Sequence, residues 1–180
     1  MANLVAVILA AGKGTRMRSK YPKVLHKVGG KPMLQHVIDA ASVAGCDEKV
    51  IIVGHEAELV EEMVGNQGKI ALQAEQLGTG HAVMQTAEAL KGFTGTALIL
   101  CGDTPLLEGE ELKKFCEAHQ ASGAAATVLT AIMDDPFGYG RIVRDEKGNV
   151  QAIVEQKDAT EAQKAIKEIN TGIYCMECPL

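Results

Sequence analysis

The sequence predicts a doubly wound α/β fold, a mostly parallel, Rossmann-like sheet leading into a more mixed second lobe. Three observations carry that prediction. Short continuous apolar runs alternate with amphipathic stretches, the pattern of strands buried on both faces and helices that cover them. Gly, Pro, Asn and Asp punctuate the boundaries between the two. With hydrophobic residues at 47% and charged residues at 23%, the composition is that of an ordinary globular domain.

Taken in order, the runs Leu4–Ala10, Lys49–Val53, Ile70–Gln73, Thr96–Cys101 and Ala124–Ile132 read as buried strands. Met33–Ala44 reads as a helix, because Leu34, Val37, Ile38 and Ala41 recur at helical spacing and Pro32 suits its first turn. Glu56–Val64, His81–Leu90 and Glu110–Ala121 read likewise, the last closed by Ser122-Gly123. After Asp135 the pattern changes. Arg141–Arg144 and Val150–Val154 flank the turn Glu146-Lys147-Gly148-Asn149 as a hairpin. A short helix over Ala159–Ile166 and a strand at Ile173–Met176 follow. The 180 residues therefore form one domain with two lobes, about 1–103 and about 104–180, without a repeat or linker between them.

Composition also excludes functions. Aromatic residues are 3% of the chain and Trp is absent, too few rings for a platform that stacks nucleic-acid bases. The net charge of −5 argues against a general polyanion binder, yet its distribution is uneven. No acid precedes Asp39, whereas Lys13, Arg16, Arg18, Lys20, Lys23, Lys27 and Lys31 do. A cationic mouth on an acidic body suits a compact polyphosphate. No secretory leader is evident, and the longest apolar stretch, Leu4 to Ala11, is too short to span a bilayer. Five Cys without a secretory context point to reduced thiols in a cytoplasm. Cys175-x-x-Cys178 has no second pair at zinc spacing and reads as two strand-end thiols.

In open parallel sheets ligands bind beyond the carboxyl ends of the strands, which directs attention to the loop after the first strand. There Leu9-Ala-Ala-Gly-Lys-Gly-Thr-Arg-Met17 carries Gly12 and Gly14, which let backbone approach a ligand and take positive φ angles. Successive N–H groups in such a turn make an anion-binding concavity, and Lys13, Arg16 and Lys23 add charge. Pro22 stiffens the chain before Lys23. The loop is neither a Walker loop, since Gly14 follows Lys13, nor a dinucleotide fingerprint, since Met17 stands where a third Gly is needed. Asp103 ends the buried run Leu98-Ile-Leu-Cys-Gly-Asp103 and reads either as a magnesium ligand or as a cap on the turn before Pro105. His81 reads as a helix-start residue, and Asp134-Asp135 before Pro136 as a turn.

Together these residues resemble the signatures of the sugar nucleotidyltransferase family. Leu9–Met17 with Pro22-Lys23-Val24-Leu25 is the first. Gln73-Ala-Glu-Gln-Leu-Gly-Thr-Gly-His81, Gly102-Asp103-Thr-Pro-Leu106, Gly138-Tyr-Gly-Arg141, Val154-Glu-Gln-Lys-Asp158 and Glu168-Ile-Asn-Thr-Gly172 follow in order. The resemblance runs from Leu4 to about Ile173 and is strongest to the uridylyltransferase domains of bifunctional bacterial enzymes that also carry an acetyltransferase. It implies a nucleotide-diphospho-sugar transferase fold, with a nucleotide-binding first lobe and a sugar-binding second. The implied reaction joins UTP and N-acetylglucosamine 1-phosphate and releases pyrophosphate. In that scheme Arg16, Lys23 and Asp103 are catalytic, and Asp103 ligates Mg²⁺. Leu9, Ala10, Ala11, Gly12, Gly14, Lys23, Gln73, Gly78 and Thr79 hold the nucleotide; Gly140, Glu155 and Asn170 hold the sugar. By their own pattern Gln73 could equally be a strand-end amide, and Gly140 and Asn170 turn residues. The implied partners are these small molecules, with no nucleic acid and no membrane.

Two departures qualify the resemblance. Cys101 stands where close family members carry a Tyr that contacts the sugar. The chain also stops at Leu180, before the family's late Asn, a second metal ligand, and before the left-handed β-helix that makes the acetyltransferase and the trimer. A C-terminally truncated domain, monomeric or weakly oligomeric, that binds UTP weakly and turns over poorly is the expectation. The alternatives are a sibling enzyme using dTTP or ATP with glucose 1-phosphate, or a non-catalytic nucleotide-sugar sensor.

Overall fold

Strand β1 (Leu4–Leu9) is made of residues with no room for polar atoms: Val5, Ala6, Val7 and Ile8 are all fully buried. The computed structural model to which it belongs describes residues 3–12, 14 and 17–179. The chain divides into two compact units, Met1–Thr127 with Tyr174–Leu180, and Val128–Ile173.

In the first unit, β1 leads to a small hairpin of β2 (Lys27–Val28) and β3 (Lys31–Pro32), then to helix α1 (Met33–Val43). There follow β4 (Glu48–Val53), α2 (Ala57–Val64), β5 (Lys69–Leu72), α3 (Thr79–Met84), β6 (Gly95–Cys101) and α4 (Gly109–Ser122). Strand β7 (Ala126–Ile132) begins in this unit and β10 (Glu168–Cys178) ends in it. The parallel strands lie in the order β5-β4-β1-β6. Val7 sits opposite Val50 on one side and Ile99 on the other, and from Tyr174 onward β10 closes the row antiparallel to β6. Crossover helices are what parallel neighbours require. On α1 the expected stripe of Leu34, Val37, Ile38 and Ala41 is buried. No helix among the described residues is long and apolar enough to cross a membrane.

The second unit is built on an antiparallel hairpin of β8 (Arg141–Arg144) and β9 (Val150–Val154), with the short helix α5 (Glu161–Lys164) and the first half of β10. The hairpin turn is organised by Asp145, whose Oδ1 accepts from the backbone N–H of Lys147 and Asn149 at 2.9 and 2.8 Å. Helix α5 starts with a reciprocal capping box between Thr160 and Gln163. Arg141, which opens β8, is 1% exposed. Its guanidinium donates to the Tyr139 carbonyl and, at 2.7 Å, to Gln156 Oε1.

Two elements differ from the sequence expectation. The helix expected over His81–Leu90 ends at Met84, and the chain continues in successive turns. Here Gln85 Nε2 donates to His81 O at 2.9 Å and Thr86 Oγ1 to Val83 O at 2.7 Å. Side chains that take up helix carbonyls compete with the backbone ladder. Conversely, the strand expected at Ile173–Met176 extends from Glu168 to Cys178. Asn170 Oδ1 accepts from Gly172 N at 2.9 Å, a turn-like local bond contained within the strand. Cys175 and Cys178 both lie on this strand; Cys175 Sγ lies 3.8 Å from Cys116 Sγ, and no disulfide links the five cysteines. Asp135 Oδ1 accepts from Phe137 N at 3.1 Å, the turn foreseen before Pro136.

Arg144 grips Glu168 with two parallel hydrogen bonds of 2.8 and 2.6 Å. Those bonds hold the Glu168 carboxyl below its ordinary value against the opposing effect of desolvation. A carboxyl depressed in the folded state contributes stability that is complete above its unfolded pKa and lost as pH falls through the folded one. Thermal unfolding of the wild type and of Arg144→Gln should therefore converge as pH falls below about 4.3, with the wild type higher in Tm at neutral pH. A Tm difference independent of pH would contradict this.

Candidate active site

The loops at the carboxyl ends of β1, β5 and β6 open onto one cavity of about 670 Å³. Of the residues singled out from the sequence, Leu9, Ala11, Gly12, Gly14, Lys23, Gln73, Gly78, Thr79 and Asp103 all line it. Ala10 does not. It is buried behind the loop, and its N–H bonds Ile52 O at 2.8 Å. Arg16 lies outside the described residues, as does Lys13.

Register explains why the first and last of these loops meet. Leu9 is the parallel partner of Cys101, and Gly102 N donates to Leu9 O at 2.9 Å. The glycine turn and Asp103 thus leave the sheet side by side. Gly14 takes φ +58°, and a Cβ there would lie 2.7 Å from Lys23 Cβ. The absent side chain is what lets Lys23 pack on the turn. Lys23 opens a 3-10 turn, Lys23–Leu25, entered from Pro22 at φ −52° and anchored by buried Val24 and Leu25. This fixes the base of a long, flexible side chain. Its Nζ reaches Asp103 Oδ2 at 2.5 Å, with each side chain about one-third exposed (33% and 33%). A pair so exposed adds little to stability; its charges remain available to a ligand.

Among the lining residues Asp103 is the sole carboxylate, and among the described residues no cluster of three or more His, Cys, Asp or Glu could hold a metal by itself. One carboxylate is a poor zinc or calcium cage. It fits a hard cation that fills its shell with water and substrate phosphate. Cys101 beside it is no candidate nucleophile: burial pushes its thiol up, and the Asp103 carboxylate pushes in the same direction.

The opposite wall is amide and backbone. Gln73, only 4% exposed, donates through Nε2 to Gly78 O at 3.1 Å and lies 3.1 Å from His81 Nδ1. Sequence reasoning missed Gln76, which lines the cavity and ties the two walls by donating to Ala11 O at 3.0 Å. A polar residue three positions after Gln73, in the same loop, was the available signal. It missed Gly54 as well, whose signal is its place at the end of β4, level with the loops after β1 and β5.

In the second unit the three remaining candidates come together. Asn170 N donates to Gly140 O at 2.9 Å, and a Cβ on Gly140 would lie 3.1 Å from Glu155 Oε1. Residues 15 to 30 positions apart in sequence thus share one end of the β8–β9 hairpin.

Residues 5–178 match the family model described as Nucleotidyl transferase; the chain belongs to that family. Over 177 residues, 98% of this chain, it is 58% identical to the protein named Bifunctional protein GlmU from Bacillus cereus strain AH187. The same figures hold for that of Bacillus anthracis strain CDC 684. The chain spans 39% of the length of these relatives. A solved structure from Bacillus anthracis, described as a candidate glucose-1-phosphate thymidylyltransferase in complex with a sucrose, superposes with a TM-score of 0.83. It covers 97% of this chain and 71% of that one at 22% identity. That likeness shows the fold, mixed α/β with a mainly parallel central sheet.

A Cβ on Gly54 would stand 3.0 Å from both Ala11 Cβ and Ala11 O and 3.2 Å from Gln73 O. Gly54→Ala should therefore wedge two cavity walls apart and cost about 1–3 kcal/mol in urea unfolding. Gly80→Ala, with nothing within 4 Å and a place in α3, should be neutral or stabilising by up to about 1 kcal/mol. Equal effects at both positions would refute the packing argument.

Proposed function

We propose that the chain transfers a uridylyl group from UTP to N-acetylglucosamine 1-phosphate, giving UDP-N-acetylglucosamine and pyrophosphate. The observation that carries the reading is the meeting of Lys23 and Asp103 over the glycine turn, in a cavity whose far wall is the buried Gln73 amide. Cation, carboxylate and backbone turn suit a polyphosphate; amide and Gly78 suit a base edge. The six ordered motifs and the 58% identity to the GlmU proteins support uridylyl transfer over the thymidylyl and adenylyl alternatives.

In this reaction an oxygen of the sugar phosphate attacks the α-phosphorus of UTP. The new O–P bond forms as the bond to the β-phosphate oxygen breaks, and pyrophosphate departs opposite the nucleophile. Positioning and charge neutralisation dominate such chemistry, so no nucleophile–base pair is needed. The backbone of Leu9, Ala11, Gly12 and Gly14 would cradle the triphosphate. Lys23 and Arg16 would neutralise charge on it and on the leaving group. Gln73, Gly78 and Thr79 would read uracil. Gly140, Glu155 and Asn170 would bind the amino sugar through a peptide N–H, a carboxylate and an amide. Asp103 would hold Mg²⁺, which when bound lowers the cost of bringing two phosphates together. Soluble phosphate substrates and free thiols suit a reducing cytoplasm.

The test is release of pyrophosphate from UTP, Mg²⁺ and N-acetylglucosamine 1-phosphate. Asp103→Ala and Lys23→Ala should each lower the rate by about 100-fold or more, and UTP should raise Tm above dTTP and ATP at equal concentration. Metal-dependent turnover that survives Asp103→Ala would overturn the assignment; metal-independent binding of UTP without turnover would favour a sensor.

A further inference from the structure

His81 takes no part in the proposed transfer, yet it touches Gln73, a buried amide that lines the cavity. Gly78 O can only accept, so the Gln73 atom 3.1 Å from it is the amide nitrogen. The second N–H of that nitrogen points at His81 Nδ1, 3.1 Å away. To accept it, Nδ1 must be unprotonated, which puts the ring proton on Nε2. The Gln85 nitrogen lies 3.2 Å from Nε2 but already donates to His81 O at 2.9 Å. Gln85 is half-buried whereas Gln73 is 4% exposed. An unmet donor costs more on the buried amide, so burial decides in favour of the Gln73 bond.

We infer that His81 is a positioning residue for nucleobase selection: by accepting from Gln73 it fixes that amide so that its carbonyl oxygen, and not its N–H, faces the cavity. The inference rests on the proposed nucleotide site. An acceptor there matches a pyrimidine that carries an imide N–H at ring position 3, as uracil and thymine do. It opposes cytosine, which presents a lone pair at the same position. His81 also belongs to helix α3 (Thr79–Met84), so the ring is carried on a regular element rather than a loose loop.

The experiment compares equilibrium binding of UTP, CTP and inorganic tripolyphosphate, each with Mg²⁺, to the wild type, His81→Phe and His81→Asn, with Tm recorded for all three. Asn is chosen because its side-chain oxygen can occupy the place of Nδ1. His81→Phe should lower the preference for UTP over CTP by about threefold to tenfold, the scale of one hydrogen bond, and leave tripolyphosphate affinity within about twofold. His81→Asn should restore the preference to within about threefold of wild type. If His81→Phe weakens tripolyphosphate as much as UTP, or if folded His81→Asn loses the preference that wild type has, the positioning role is wrong while the uridylyl reading stands. A wild type that binds tripolyphosphate but does not prefer UTP over CTP overturns the nucleotide reading itself.

Discussion

The parallel pairing of β1 with β6, in the register that sets Leu9 against Cys101, is the constraint on which the candidate site depends. Parallel strands in register end at the same edge of the sheet, so loops far apart in sequence emerge together. The glycine turn and Asp103 are some ninety positions apart in the chain, yet Gly102 N bonds Leu9 O directly. Shifting that register by one residue would exchange Val5 and Val7 with the differently sized Ala6 and Ile8 between two packed faces. Because Val5 to Ile8 are fully buried, the core itself holds the register, and stability and site geometry share one cause.

Given that frame, the electrostatics of the cavity are simple. Among the described lining residues, the Lys23 ammonium and the Asp103 carboxylate face each other and neutralise. A polyphosphate offers the ammonium a better partner, and a cation does the same for the carboxylate. Its partial exposure makes the pair a weak structural strut, which suits the exchange of charge that the proposed reaction would require. Arg141 in the second unit is the contrast. It is buried, carries no evident ligand-facing role, and spends its guanidinium on Gln156 and on the Tyr139 and Lys164 carbonyls.

The regular elements were legible because their signals are local. Four parallel strands and four of the helices stand within a residue or two of the boundaries that the sequence predicts. The same reasoning overran α3, since apolar spacing continues past Met84 while Gln85 and Thr86 turn their side chains back onto helix carbonyls. It stopped short on β10, since Asn-Thr-Gly reads as a turn and the Asn170 side chain does make a turn-like bond, but inside a paired strand. In the first case a side-chain hydrogen bond, invisible to periodicity, decided the backbone; in the second, pairing with neighbouring strands overrode one.

By itself the sequence determined the fold class, the strand ends at which the cavity opens, and the residue types there: glycines, a lysine after proline, an aspartate closing a buried run. Those follow from short-range chemistry and from order along the chain. Tertiary structure alone decided which of these share a cavity, that Lys23 and Asp103 pair, that Gln76 bridges to Ala11, and that Gly54 must lack a side chain. The reason is geometric: distances between residues on different strands are set by register and packing of the whole sheet, which no window of neighbouring residues encodes.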